Sequence, residues 1–346
     1  MSDFIGTKLT MNLGERSYDI ILKNGALENL YQFARLDRRV AVVTDSGVPA
    51  QYAQRVADQC REARIITVPQ GEASKSFKIL ESVLQQMLDF NMGRGDLVVA
   101  VGGGVVGDLA GFAASIYMRG IDFINCPTTT LSMIDSSIGG KTAVDLGDTK
   151  NIVGAFWQPK LVIVDPDTLA TLPRRHYING LAEAVKASLL ADPELFGIFE
   201  KGDIDGQINE IIYRSLRFKK NIVEQDETER GMRKALNFGH TIGHGIEAVK
   251  GIKGRRTVGL FHGECVALGM LPMIEDNALT KRVRAIYRTL GLPVRTGASK
   301  EKVLHYMLHD KKAGNGTITV IKCPGLGCWR AETLPLTELP GLLGME

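Results

Sequence analysis

Val98-Val99-Ala100-Val101 runs without a break into Gly102-Gly103-Gly104-Val105-Val106-Gly107-Asp108. Four apolar residues followed by a glycine cluster and a new apolar segment read as a strand, a phosphate-type loop and the start of a helix. Gly102, Gly104 and Gly107 satisfy the dinucleotide spacing, in which glycines let backbone N–H groups approach a pyrophosphate at a helix N-terminus. A tight turn without ligand has the same composition, and this loop opens the third strand–helix unit instead of the usual first. The flanks repeat the pattern. Arg39–Thr44, Ala63–Val68, Phe123–Cys126 and Leu161–Val164 read as strands, and Pro49–Arg61, Ser74–Phe90 and Gly107–Arg119 carry apolar residues at helical spacing. Such alternation implies an α/β domain with a parallel, Rossmann-like sheet. Two further strands are expected near Lys8–Leu13 and Asp19–Leu22.

Beyond about Pro173 the pattern changes. Val185–Leu190, Ile208–Val223, Ile242–Val249 and Cys265–Ile274 read as helices, and no strand-like run returns until Thr317–Ile321. The expected organisation is a nucleotide-binding α/β domain over 1–173 and a mainly α-helical metal- and substrate-binding domain over 174–346, with a cleft between them as the default binding site.

Composition narrows the function. The 346 residues are 44% hydrophobic and 23% charged, ordinary for a globular protein, and the net charge of +3 forms no basic tract. Neither a nucleic-acid partner nor a membrane is expected. Met1-Ser2-Asp3-Phe4 has no signal-peptide pattern, and five cysteines without metal-type spacing read as reduced thiols, so cytoplasmic placement is expected.

Three stretches carry possible chemistry. In Gly71-Glu72-Ala73-Ser74-Lys75, Glu72 suits ribose hydroxyls and Lys75 a phosphate, while the plainer reading is a helix start with Ser74 as N-cap. Asp135-Ser136-Ser137-Ile138-Gly139-Gly140-Lys141, with Lys150 and Asn151, reads as a polar, flexible segment suited to a phosphate or polyol. His240 and His244 lie four apart on one helical face, His262 opens the next helix with Glu264, and Glu183 lies on an earlier one. Three of the six histidines thus fall within 240–262. Such nitrogen and oxygen donors suit zinc, and spacing does not say which imidazoles bind it.

Taken together and in this order, these motifs resemble the 3-dehydroquinate synthase family from about residue 40 to about residue 312. Also matching are Tyr-Met-Arg-Gly at 117–120, Lys-Asn-Ile-Val-Gly-Ala-Phe-Trp-Gln-Pro at 150–159, Asn-Gly-Leu-Ala-Glu at 179–183, Asn-Phe-Gly-His-Thr-Ile-Gly-His at 237–244, His-Gly-Glu at 262–264 and Asp-Lys-Lys at 310–312. The resemblance implies a lyase of the shikimate pathway, the route to chorismate and the aromatic amino acids. Its substrate is 3-deoxy-D-arabino-heptulosonate 7-phosphate and its products 3-dehydroquinate and phosphate. The implied course is transient oxidation by NAD, β-elimination of phosphate, return of the hydride, ring opening and aldol closure. The implied cofactors are NAD and Zn2+, with Co2+ as an alternative.

Residue by residue, the resemblance assigns the metal to Glu183, His240 and His262, which splits the tempting His240/His244 pair. It places Lys141, Asn151, Asn237 and His244 around phosphate and Lys219, Arg233 and Lys312 at the anionic ends of the substrate. Asp135 and Lys186 fall to ring hydroxyls, and Glu229 to proton transfer near His244. Arg119 falls to a neighbouring subunit's site, which implies a homodimer. NAD contacts fall to Asp45, Glu72, Lys75, Gly103, Gly104, Val105, Asp108, Thr128, Thr129, Lys150, Thr168 and Thr171. The chain departs from the family at Gly47, where asparagine is usual, at the Leu146–Thr149 turn, and at Thr130 and Ser132. Competing readings are the cyclases that make 2-deoxy-scyllo-inosose or 2-epi-5-epi-valiolone, and metal-dependent alcohol or glycerol dehydrogenases of similar fold.

Overall fold

The structure is a computed structural model, which describes residues 6–147, 149–249, 259–310 and 316–345, with the side chains of 309 and 310 left out. It forms two compact units, Met1–Tyr177 and Ile178–Glu346.

The first unit is built on a seven-stranded sheet. Its strands are β1 (Thr7–Met11), β2 (Tyr18–Leu22), β3 (Arg39–Asp45), β4 (Glu62–Val68), β5 (Leu97–Gly102), β6 (Asp122–Pro127) and β9 (Leu161–Val164), in the order β1-β2-β9-β6-β5-β3-β4. Only β1 runs antiparallel. Leu97–Val101 and Val40–Val43 are entirely buried, as expected for parallel strands covered on both faces. Helices α1 (Ala50–Ala57), α2 (Phe77–Asp89) and α3 (Gly104–Ile116) connect the central strands. Two apolar clusters fill the unit, one joining α2 and α3 to the sheet, the other joining α1 to it.

The sheet accounts for the unusual rank of the glycine loop. From β3 the chain goes outward to β4 and then returns to place β5 on the other side of β3. The reversal of strand order therefore falls between β3 and β5. Open α/β sheets bind ligands at the carboxyl ends of the strands flanking such a point. Rank along the chain is irrelevant here; position at the reversal is what counts.

The stretch read as a flexible polar loop is structured. Ser132–Ser136 forms a π-helical turn, and β7 (Lys141–Leu146) pairs antiparallel with β8 (Thr149–Phe156) as a separate hairpin packed on α3. The N-cap expectation for Ser74 also fails. Helix α2 begins after Ser76, and the Ser74 hydroxyl donates to the Pro69 carbonyl.

The second unit takes most of α4 (Arg174–Ala191), which begins in the first. It continues through α5 (Pro193–Lys201), α6 (Ile208–Gln225), α7 (His240–Ala248), α8 (His262–Met270), α9 (Asn277–Leu290), α10 (Lys300–Asp310) and α11 (Leu339–Leu342). One antiparallel pair, β10 (Thr317–Gly325) and β11 (Cys328–Pro335), is added late in the chain. Two glycines set the helix spacing. A Cβ at Gly269 would lie 2.0 Å from the Gly239 carbonyl, and one at Gly263 would lie 1.9 Å from the Asn179 carbonyl. Helix α8 can therefore seat against α7 and α4 only with glycine at these positions.

Candidate nucleotide and metal sites

In the first unit, Gly102 ends β5, Gly103 is the N-cap of α3 and Gly104 its first residue. A Cβ on Gly103 would meet Thr129 Cγ2 at 3.1 Å, and one on Gly104 would meet Ser136 Oγ at 2.9 Å. The Thr128 backbone N–H donates to the Gly102 carbonyl (2.9 Å). The 128–136 segment thus lies against the loop, beside an α3 N-terminus that offers its N–H groups and the positive end of its dipole. At the end of the neighbouring β3, the Asp45 carboxylate accepts from Gly47 N–H (2.7 Å), next to a cavity of about 410 Å³ lined by Thr44–Ala50, Ala53, Gln54, Ile65 and Thr67. Those residues fit a dinucleotide: a glycine cradle and a cavity with a carboxylate flank the strand-order reversal. At Gly47 a Cβ would meet only the Gln70 side chain, 2.2 Å from its carboxamide carbon, and that exposed chain can turn aside.

Lys75 is buried, and its ammonium pairs with Asp108 (2.5 Å) and with the Asn151 carboxamide. Its carbonyl accepts from Asp145 N–H (2.7 Å), and the Asp145 carboxylate accepts from Asn151 N–H (2.8 Å). This lysine therefore ties the hairpin to α3. Glu72 and Lys150 stand 3.9 Å apart. Thr168 and Thr171 are joined to α1 through the Tyr52 hydroxyl, which lies 2.9 Å from Thr171 Oγ1. Val105 lies in the first turn of α3, Asp135 in the π-helical turn, and Lys141 is exposed at the start of β7.

In the second unit, Glu183 of α4 meets the first residues of α7 and α8. His240 Nε2 lies 3.5 Å and His262 Nε2 3.8 Å from Glu183 Oε1, and the two rings are 5.4 Å apart. Glu183 is buried; the Lys186 ammonium pairs with Oε2, while Oε1, the oxygen facing both imidazoles, accepts no hydrogen bond. A buried carboxylate oxygen left without a donor carries a desolvation cost that a metal ion placed there would offset. Two imidazole nitrogens and this carboxylate fit a zinc-type ion with room for a further ligand.

The protonation states differ. Burial, then Lys186 and the other two imidazoles, hold His240 well below the usual histidine range, in the neutral form that binds metals. Burial also opposes the charged form of His262, but the Glu247 and Glu183 carboxylates outweigh it and raise its pKa. Glu264, which follows His262, turns back to accept from Phe261 N–H (2.8 Å), so it caps α8.

The rest of the constellation surrounds this group unevenly. His244 is exposed one turn along α7, its ring 5.4 Å from His240 and 5.9 Å from His262. Lys186 also donates to the Leu236 carbonyl (2.8 Å). Lys219 and Arg233 are buried, on α6 and on the 3-10 turn Met232–Asn237. The Asn237 carboxamide donates to Glu229 Oε1 (2.9 Å). Lys312 lies outside the described residues. Glu247 was absent from the sequence reading although it continues the His240/His244 face of α7; a second carboxylate at that spacing was the available signal.

A glycine-loop α/β unit joined in one chain to a helical unit with a His–His–Glu centre defines a class of metal-dependent, nucleotide-using enzymes. Within it, residues 65–179 match the 3-dehydroquinate synthase N-terminal family and residues 180–313 the 3-dehydroquinate synthase C-terminal family. The chain is 39% identical to the 3-dehydroquinate synthase of Streptococcus thermophilus strain LMD-9, with 96% of this chain and 98% of that one covered. It is 41% identical to that of Caulobacter vibrioides, with 92% of each covered. The chain belongs to the 3-dehydroquinate synthase family. A solved 2-deoxy-scyllo-inosose synthase, complexed with carbaglucose-6-phosphate, NAD+ and Co2+, superposes with a TM-score of 0.84 at 25% identity, covering 97% of this chain and 99% of that one. The 2-epi-5-epi-valiolone synthase of Streptomyces hygroscopicus, with NAD+ and Zn2+ bound, gives 0.83 at 27%, covering 96% and 97%.

Proposed function

We propose that the chain converts 3-deoxy-D-arabino-heptulosonate 7-phosphate into 3-dehydroquinate and phosphate. The observation that carries this reading is the identity of 39–41% to curated 3-dehydroquinate synthases over nearly the whole chain, against 25–27% to the two cyclases with other products. When bound, NAD at the β3/β5 end supplies a reversible hydride acceptor, and a divalent ion held by Glu183, His240 and His262 polarises the substrate alcohol.

The chain's own residues do the rest. Lys186, fixed between Glu183 and the Leu236 carbonyl, presents its ammonium to ring hydroxyls. Exposed His244 donates to the departing phosphate, and Asn237, held by Glu229, does the same. Lys219, Arg233 and Lys312 neutralise the anionic ends of the substrate; Lys141, Asn151 and Asp135 serve phosphate and hydroxyls. Backbone strain supports these roles. Of five non-glycine residues with left-handed φ among the described residues, three are Arg119, Asn151 and Glu229, at 70°, 54° and 61°. Such strain is retained where the surrounding structure demands it, commonly at sites of function.

A homodimer belongs to the same reading. Arg119 is exposed at the end of α3, beside Met118, which is also left-handed. Ile116, Met118, Ile152 and Phe156 expose large apolar side chains there and along β8. Exposed apolar groups on an edge strand suit a partner surface. Among the described residues no helix is long and apolar enough to cross a membrane.

Buried cations for a carboxylate predict strong discrimination. Phosphate release from the seven-carbon acid phosphate should exceed that from glucose 6-phosphate on the order of 10⁴-fold, because a site built for a charged group rejects a substrate lacking it. Equal release from both would place the chain with the cyclases of neutral sugars.

A further inference from the structure

Two imidazoles present Nε2 to the same Glu183 oxygen, and for a neutral imidazole to bind an ion through Nε2 its proton must sit on Nδ1. For His240 the acceptor is the Phe238 carbonyl, 3.1 Å from Nδ1. For His262 it is a side chain, Glu247 Oε2, 3.2 Å from Nδ1. We infer that Glu247 is a positioning residue of the metal centre, which holds His262 in the one tautomer and ring orientation that points Nε2 at Glu183. The inference rests on the metal reading proposed above.

The arrangement follows from α7. His240, His244 and Glu247 occupy successive turns of one face, so a single helix supplies a ligand, a phosphate donor and the support for the ligand on α8. His262 is the first residue of α8 and its side chain is 31% exposed, which leaves the ring more freedom to turn than full enclosure would. A hydrogen-bonded carboxylate removes that freedom and also raises the electron density at the coordinating nitrogen. His240, whose side chain is 15% exposed and anchored to its own backbone, has no such need.

A second grouping shares the same atoms. His244, Glu247 and His262 also offer ligand atoms within 4.8 Å of one another. That set would turn His262 Nδ1 toward the ion and leave its Nε2 facing Glu183. It would also leave Glu183 Oε1, the oxygen that faces both imidazoles, without a hydrogen bond or a metal. The Glu183 set gives a partner to Glu183 Oε1, to both Nε2 atoms and to His262 Nδ1.

Zinc affinity of the apoprotein, measured by competition with a chelating dye, tests this without reference to turnover. Glu247→Ala should bind one zinc per chain about 10–100-fold more weakly than the unaltered protein. Glu247→Gln, which keeps an acceptor oxygen without the charge, should recover part of the loss. His244→Ala should bind zinc as the unaltered chain does, and the thermal midpoints of the apoproteins should agree. Unaltered affinity in Glu247→Ala would overturn the inference, as would a loss in His244→Ala equal to that in Glu247→Ala, which moves the ion to the other grouping. A Glu183→Gln control separates the two levels. If it loses zinc while Glu247→Ala does not, the centre stands and the positioning role falls; if it keeps zinc, the centre itself is misassigned.

Discussion

Glu183→Gln is expected to strip the divalent ion from the chain and to lower turnover on the order of 10³-fold, since the lost charge stabilisation is worth several kcal/mol. The amide keeps the shape of the carboxylate but not its charge, so what is removed is the anionic ligand at the meeting point of His240 and His262. Glu183→Ala is the less informative change. Both variants leave the buried Lys186 without its carboxylate, at about 3–5 kcal/mol, but the amide keeps an acceptor oxygen for the ammonium and fills the same space, whereas Ala does neither. Folding would then be confounded with metal loss. Metal content and phosphate release measured on the same sample decide the matter, with thermal unfolding to show that the Gln variant is folded. Zinc retained at full occupancy would remove Glu183 from the ligand set. Exhaustive chelation of the unaltered chain should reproduce the loss, and added zinc or cobalt should reverse it.

Mixing two inactive variants should restore activity if Arg119 serves the partner's site. Arg119→Ala and His240→Ala chains should each be nearly inactive alone. In a mixed dimer, the Arg119→Ala chain keeps its metal ligands and receives Arg119 from its partner, so one of the two sites works. Random exchange makes about half the dimers mixed, so about a quarter of normal activity should return. The expectation draws on the exposure of Arg119 and on its left-handed backbone, a conformation a non-glycine residue keeps only at a cost. No recovery, with subunit exchange confirmed, would assign Arg119 to its own chain or to no catalytic role.

The parallel sheet was legible because its strands are short and wholly apolar. Leu161–Val164 was read to the residue, and Arg39–Thr44 and Leu97–Val101 to within one. The β7–β8 hairpin was not legible. It packs on α3 outside the main sheet, so β8 buries no residue fully, and Asn151 interrupts its extended backbone. Val153 and Ala155 pack, half-buried, against the α3 cluster, but Ile152 and Phe156 between and beside them are apolar and exposed. The polar–apolar alternation that marks a strand therefore never develops in the sequence. Strand β11 escaped for the same reason. Helix α9 is different: Asp276 caps it through two backbone N–H groups, Gly291 ends it in the left-handed region, and Leu279, Val283, Ile286 and Leu290 line its buried face. Its signals were present and were not read. At the metal centre, the donor types were visible but not their grouping. His240 and His244 share a helical face, yet the Nε2 atoms that meet on Glu183 belong to His240 and His262, because glycines seat α8 against α7 and α4. Only the resemblance to a known family carried that division in advance.

The central claim is a redox-neutral elimination, and stoichiometry tests it most directly. The chain, reconstituted with zinc, NAD below the enzyme concentration and excess 3-deoxy-D-arabino-heptulosonate 7-phosphate, would be followed for phosphate release and for the NADH absorption band together. The account predicts many phosphates released per NAD, one 3-dehydroquinate per phosphate, and no accumulating NADH. Growth of NADH in step with substrate consumed, with turnover stopping once NAD is spent, would contradict it and make the chain a dehydrogenase.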